Sequence, residues 1–400
     1  MHKDIKALVP ELRFPGFEGE WEKKPLNDIC SITNGKANAQ DHVDGGKYPL
    51  FDRSEIIKAS NEYLFDTETV IIPGEGMRFV PKYFKGKFNL HQRAYALMNF
   101  NYNGEFIYYS LSNQNNLLAK KAVQSTVLSL RLPILQNFPL AISENSKEQQ
   151  KVADCLSSLD AVIDGHSKCL ELLREHKRGL MQQLFPQEGE KVPRLRFLEF
   201  KGDGQWREMT LDKVCNLVRG PFGGALKKEI FVNDGFAVYE QSHAIYNDFK
   251  NFRYRINKEK FLELKRFSVK QGDLIMSCSG TMGKFAIIPV DLEEGIINQA
   301  LLKLTTKGDF NNHFVKISLE TETNQRKLLS KSAGGAIKNV VSVSQIKELK
   351  LQIPSLTEQQ KIADCLSSLD NLIDAEERRI EQLQLHKKGL MQKLFPVIND

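Results

Sequence analysis

EQQKVADCLSSLDAVIDGHSKCLELLREHKRGLMQQLFP occupies residues 148–186, and EQQKIADCLSSLDNLIDAEERRIEQLQLHKKGLMQKLFP occupies residues 358–396. The two align without a gap at a constant offset of 210 residues. In the first, Val152, Leu156, Leu159, Ile163, His166, Leu170, Leu173, Lys177, Leu180 and Leu184 follow one another in steps of four and three. Ile362, Leu366, Leu369, Ile373, Glu376, Ile380, Leu383, Lys387, Leu390 and Leu394 repeat the pattern. A period of 3.5 calls for a left-handed coiled coil. Helices of about 38 residues would run roughly 57 Å at 1.5 Å per residue. Phe185-Pro186 and Phe395-Pro396 end them, because proline cannot continue a helix. A leucine seam this long must be covered, and the other copy is the simplest cover. An antiparallel pairing is expected, giving pseudo-two-fold symmetry with an insert at each end. The polar seam positions, His166 with Glu376 and Lys177 with Lys387, either fix register or mark a solvated stretch. Neither reading makes His166 a ligand or a base.

A second echo leads into each half. VPELRFPGFEGEWEKKPLNDIC (9–30) resembles VPRLRFLEFKGDGQWREMTLDKVC (192–215), so Trp21 matches Trp206 and Cys30 matches Cys215. Cys155 and Cys365 are also partners, and these four cysteines read as inherited core residues rather than a site. Between the echoes the chain diverges. The expected organisation is a lead-in (1–24), a first insert (25–142), a helix (143–186), a connector matching the lead-in (187–206), a second insert (207–353) and a second helix (354–400). A frame kept alike around two unlike inserts is the pattern of a scaffold that presents two variable readers.

The 400 residues leave room for two or three domains. No apolar run reaches the roughly 18 residues of a membrane span, and MHKDIKALVPELRF has no secretory apolar stretch. The six cysteines form no CxxC, so reduced thiols and a cytoplasmic location are expected. The net charge of +6 divides unevenly: the first insert carries 12 Lys+Arg against 10 Asp+Glu, the second 23 against 16, and the frame is net −3. The positive excess lies on the inserts, where phosphate contacts would be made.

Each insert has short β-type runs broken by turn residues: TVIIP (69–73), AYALMNF (94–100) and EFIYYSL (105–111) in the first, FAVYEQS (236–242), DLIMSCS (273–279), KFAIIPV (284–290) and QALLKLT (299–305) in the second. HFVKISLETETNQRKLLSKS (313–332) reads as a helix. The expected class is α+β, two α/β domains joined by two long coiled-coil helices.

Several loops carry the side chains that read base edges or hold phosphates. In the first insert these are Lys36, Asn38 and Gln40; Arg53 and Ser54; Arg78, Lys82 and Lys85; and His91, Gln92 and Arg93. In the second they are Arg219, Lys227 and Lys228; Gln241, Ser242 and His243; Ser279, Thr281 and Lys284; Asn298 and Gln299; and Lys338 with Asn339. Gln92 in HQRAYAL and Gln299 in INQALLKL look equivalent, either as readers or as framework residues. Catalytic signatures are missing: SCSGTMGKF (277–285) lacks the first glycine and the hydroxyl of a phosphate-binding loop, and no zinc spacing or Asn-Pro-Pro-aromatic segment occurs.

On the duplicated EQQK(V/I)ADCLSSLD and HK(R/K)GLMQ(Q/K)LFP segments, the Trp-containing lead-ins, and GDLIMSCSGTMGK with INQALLKL, the chain resembles the specificity subunit of type I restriction–modification systems over its whole length. The resemblance implies that the inserts are target-recognition domains reading a split site in double-stranded DNA. It also implies two adenine-N6 methyltransferase subunits as partners, with room for two restriction subunits. No cofactor is expected on this chain; S-adenosylmethionine and ATP with magnesium would belong to those partners. A stand-alone methyltransferase or nuclease with unrecognised motifs, and a coiled-coil scaffold that binds only proteins, are the alternatives on the residues alone.

Overall fold

The computed structural model describes residues 8–124, 127–222, 224–330 and 342–398. They form two compact units: the first takes the described residues up to Cys169 together with those from Glu376 onward, and the second lies within Leu170–Ala375.

Two 39-residue helices, Ser146–Leu184 and Leu356–Leu394, each contribute one half to each unit. Every expected seam position is buried or half-buried, and the burial pattern along 151–185 recurs residue for residue along 361–395. The pairing inside each unit is antiparallel, as expected. In the first unit Asp160 meets Lys387 while His166 meets Glu376, one number rising as the other falls. In the second, Lys177 meets Asp370, and Leu184 shares a core with Ile362 and Leu366. The polar seam residues are therefore partnered across the pair. His166 Nδ1 and Glu376 Oε2, equivalent positions of the two copies, stand 2.7 Å apart.

The repeated motifs bind each insert to its helix. Arg13 Nε and Nη2 donate to Glu148 at 2.7 and 2.9 Å, and Arg196 Nε and Nη2 donate to Glu358 at 2.8 and 2.7 Å. The next residue, Gln149, accepts from the backbone N–H of Asn103, and Gln359 accepts from that of Asn311. The Asn103 and Asn311 side chains donate to Gln150 and Gln360. They also accept from Phe106 and Phe314, capping the helices Gly104–Asn113 and Asn312–Glu320. Trp21 packs on Phe106 and Phe395; Trp206 packs on Phe314 and Phe185. The EQQ triplet and the tryptophan are thus the joint between helix and reader.

In the first unit six strands lie in the order Ser31–Asn34, Ala94–Met98, Phe65–Pro73, Lys82–Leu90, Tyr48–Phe51 and Lys58–Ser60. In the second, one four-stranded sheet runs Cys215–Arg219, Leu301–Thr306, Leu274–Ser277 and Phe285–Ile287, and another runs Phe231–Val232, Arg255–Ile256, Phe236–Tyr239 and Gly295–Ile297.

Two sequence expectations change. EFIYYSL (105–111) is helical, because the Asn103 cap and burial of Phe106, Ile107, Ser110 and Leu111 on one face override its aromatic strand propensity. The helical stretch expected over 313–332 is interrupted: it forms Asn312–Glu320 and Glu322–Ser330, broken where Thr321 takes an extended conformation, and residues 331 and 332 lie outside the described residues.

Candidate nucleic-acid interface

In each unit the strand ends place the predicted loops at one sheet edge. In the first, Ser31–Asn34 and Phe65–Pro73 end where Ala94–Met98 begins, with Asn34 opposite Tyr95 and Pro73 opposite Ala94. The His91 amide donates to Phe51 O, which brings the 51–55 loop to the same edge. In the second unit, Cys215–Arg219 and Leu274–Ser277 end where Leu301–Thr306 begins, and the Asn298 amide donates to Tyr239 O.

The same backbone frame holds both edges. Gly35 N donates to Ala94 O and Gly220 N to Leu301 O. Ala94 N donates to His91 O and Leu301 N to Asn298 O; Gly74 N donates to Arg93 O and Cys278 N to Ala300 O. A Cβ on Gly35 would stand 1.9 Å from Leu90 O, and one on Gly220 would stand 1.8 Å from Asn298 O, so only glycine fits either place. His91–Ala94 and Asn298–Leu301 are thus one turn built twice, with Gln92 and Gln299 at the same exposed corner.

Different side chains hang on this frame. In the first unit Gln92 Nε2 donates to Asn38 Oδ1 at 2.8 Å, and Asn34 Nδ2 donates to Gln92 O. Glu75 lies 2.8 Å from Arg93 and 3.8 Å from Arg53, holding two half-exposed guanidinium groups together. Lys82 Nζ donates to Ser54 O, and Ser54 donates to Asp52 through both N and Oγ. Burial lowers the pKa of Lys82 despite the nearby acids Asp52 and Glu55. Lys36, Gln40 and Arg78 are exposed; Arg78, Arg53, Met77 and Lys82 line a cavity of about 530 Å³. In the second unit Ser279 Oγ donates to Gln241 Oε1 at 2.8 Å. Gln241, Ser242, Asn298 and Arg253 line a cavity of about 650 Å³. Arg219 is half-buried at this edge; Lys227, Lys228, Thr281, Lys284 and Gln299 are exposed.

Several predicted readers stand elsewhere. His243 is a core residue, 2 % exposed, stacked on Phe252, with its ring nitrogens held by Glu240 and Asn251 backbone; no surface ligand can reach it. His91 is half-buried at the start of the turn and braces it, its Nδ1 accepting from the Arg93 amide; burial lowers its pKa. Lys85 pairs in register with Glu68, three residues further from the edge than Lys82. Lys338 and Asn339 lie outside the described residues. The loop that imitates a phosphate-binding loop is a hairpin: Ser277 and Lys284 pair, and Gln325 donates to Gly283 O. Glu75 carries neither a positive charge nor an amide; it serves this edge by holding two arginines. Asn34 joins it from the position before Gly35.

Both edges offer amide and guanidinium groups on rigid strand ends, and among the described residues no three His, Cys, Asp or Glu side chains gather to hold a metal. No described helix is long and apolar enough to cross a membrane. Duplicated units of this kind, each presenting a polar edge on a shared helix pair, define a two-domain recognition protein. The model of the type I restriction modification DNA specificity domain matches twice, over residues 18–174 and 204–385, and the chain belongs to that family. The MjaVIII specificity subunit of Methanocaldococcus jannaschii is 23% identical over 94% of this chain and 92% of its own length. The EcoDI specificity subunit of Escherichia coli is 28% identical over 38% of this chain and 34% of its own. The crystal structure of a type I restriction–modification S subunit from M. genitalium superposes with a TM-score of 0.66 at 17% identity, covering 98% of this chain and all of that one.

Proposed function

We propose that this chain is the sequence-reading, non-catalytic subunit of a type I restriction–modification complex, and that each unit reads one half of a bipartite DNA site through the sheet edge described above. The observation that carries this reading is the common backbone frame of the two edges, Gly35 with His91–Ala94 and Gly220 with Asn298–Leu301, clothed in different side chains. A fixed frame with variable polar groups is what two readers of unrelated sequences require. Asn38, Gln92, Gln241 and Gln299 supply paired donors and acceptors for base edges, while Arg53, Arg93, Lys227 and Lys228 supply phosphate contacts. The length of the helix pair sets the unread spacer between the half-sites. The helix frame docks two methyltransferase subunits, and restriction subunits join through the same complex. S-adenosylmethionine and ATP belong to those partners, and the adenine is flipped from the duplex for methylation there.

The test is methylation-sensitive sequencing of DNA from cells carrying this chain with its methyltransferase. A two-part motif is expected. Exchanging residues 207–353 for the corresponding insert of a relative should then change one half of the motif. A change in both halves would refute modular reading, and methyl transfer by the purified chain alone would refute a non-catalytic role.

A further inference from the structure

Phe222 is 88 % exposed, the most exposed large apolar side chain among the described residues. Among the described residues no core cluster or ring contact includes it. The residues just before it are anchored. Gly220 lies against the Asn298 carbonyl, Pro221 is buried, and the Ala225 amide donates to Phe222 O. The ring therefore projects from the base of the reading edge, two residues past the glycine that touches the Asn298–Leu301 turn. Arg219 precedes it and exposed Lys227 and Lys228 follow it. An exposed aromatic ring beside an anchored glycine turn, with basic residues before and after it in the chain, suits a ligand with an anionic backbone and flat apolar faces. The first unit places Ala37 two residues past its equivalent Gly35, and Ala37 is buried. The ring is therefore a property of the second reader, not of the shared frame.

We propose that Phe222 is an apolar wedge that enters the base stack of the DNA half-site read by the second unit, its ring against a base face while Lys227 and Lys228 hold the flanking phosphates. This rests on the DNA-reading function proposed above and adds a local distortion of the duplex to it. A wedge favours base steps that unstack readily, so Phe222 adds preference at a position where no base edge is hydrogen-bonded.

The experiment uses the chain in complex with its methyltransferase and a duplex bearing the motif mapped by sequencing. Trp21 and Trp206 are both 3 % exposed, so the Phe222→Trp variant adds the one indole at an exposed position. Its emission should be quenched and shielded from iodide by the motif duplex, and not by a duplex scrambled in the second half-site. Phe222→Ala should weaken binding to the motif roughly ten-fold, a typical loss for one base–aromatic stack, and abolish the fluorescence rise of 2-aminopurine placed in the second half-site away from the adenine that is methylated. An indole that stays open to iodide on the motif duplex overturns the wedge while specific binding persists. Shielding by the methyltransferase without DNA makes Phe222 a protein contact and overturns it as well. Loss of specific binding by the unaltered complex would instead refute the DNA-reading function itself.

Discussion

Lys387 places Nζ 2.5 and 2.6 Å from the two carboxylate oxygens of Asp160, and 210 residues away in the numbering Lys177 makes the corresponding contact to Asp370. The pair is one interaction with the two copies' roles exchanged. The environments differ, because Tyr109 also donates to Asp160 at 2.7 Å and lies under Lys387, whereas the equivalent position in the second unit is Ile317. Burial, then Asp160, pushes the Tyr109 hydroxyl far above its ordinary range, so it remains a donor at any working pH. Asp160→Ala should therefore cost about 2 kcal/mol and Asp370→Ala about 1 kcal/mol. Urea unfolding of the two variants checks the order. Equal losses would mean that Tyr109 contributes nothing.

The buried pairs at the helix starts are a stronger case. Glu148 and Glu358 are each 1 % exposed and bound by both arms of an arginine. Arg196→Ala leaves Glu358 charged and unpaired inside the joint, and should cost about 3–5 kcal/mol. Arg196→Met with Glu358→Leu should recover most of it, since two apolar groups leave no unpaired charge. Denaturation midpoints of the single and double variants decide this. A double variant as unstable as the single would show that the pair acts through its hydrogen bonds to Asp203 O and Gly204 O instead.

The helix frame was legible because its information is periodic. Ten seam positions recurring at 3.5 residues in two copies leave one solution, and all of them are buried or half-buried. The recognition edge was legible in part. Gln92 and Gln299 share a turn because HQRA and NQAL share a spacing to the strand that follows. His243 was misread because a histidine among polar residues carries no sign of Phe249 and Phe252, which close over it from outside its helix. EFIYYSL is helical although its residues favour strands, because Asn103 caps it and one face is buried; that burial, unlike the cap, is set by distant parts of the chain.

Thiol chemistry separates the buried Cys30, Cys215 and Cys278 from the exposed Cys169. Burial pushes Cys30 and Cys215 up to about 12 and Cys278 up to about 11. The reactive thiolate is then scarce at pH 8 at all three. Cys169 is exposed; desolvation and Glu376 raise it too, so it should react, but slowly. Iodoacetamide at pH 8 followed by peptide mass spectrometry should mark Cys169 first and leave Cys30, Cys215 and Cys278 unmodified until the protein unfolds. Early labelling of Cys30 would mean that its core opens in the native state.

Asp52 offers a test at the reading edge itself. It is 8 % exposed, and burial raises its pKa, but hydrogen bonds from Lys58 and Ser54 outweigh burial and bring it down to about 2. The folded value lies below the unfolded one, so the ionised form stabilises the 51–58 loop. That stability is fully present above roughly pH 4 and is lost as the pH falls toward 2. DNA binding between pH 6 and 8 should therefore show no titration from this group. Asp52→Asn removes the charge permanently. Lys58, now 2.8 Å from Asp52 Oδ2, is freed for phosphate, while the amide oxygen of the new Asn still accepts from Ser54 in place of Oδ1. Non-specific affinity should rise and the salt dependence should steepen by about one counterion. Discrimination between altered half-sites should hold in both units, because the Ser54 hydrogen bonds are kept. Filter binding across a salt series, with duplexes altered in one half at a time, measures all three. An unchanged salt slope would mean that Lys58 does not reach DNA, whatever becomes of Asp52.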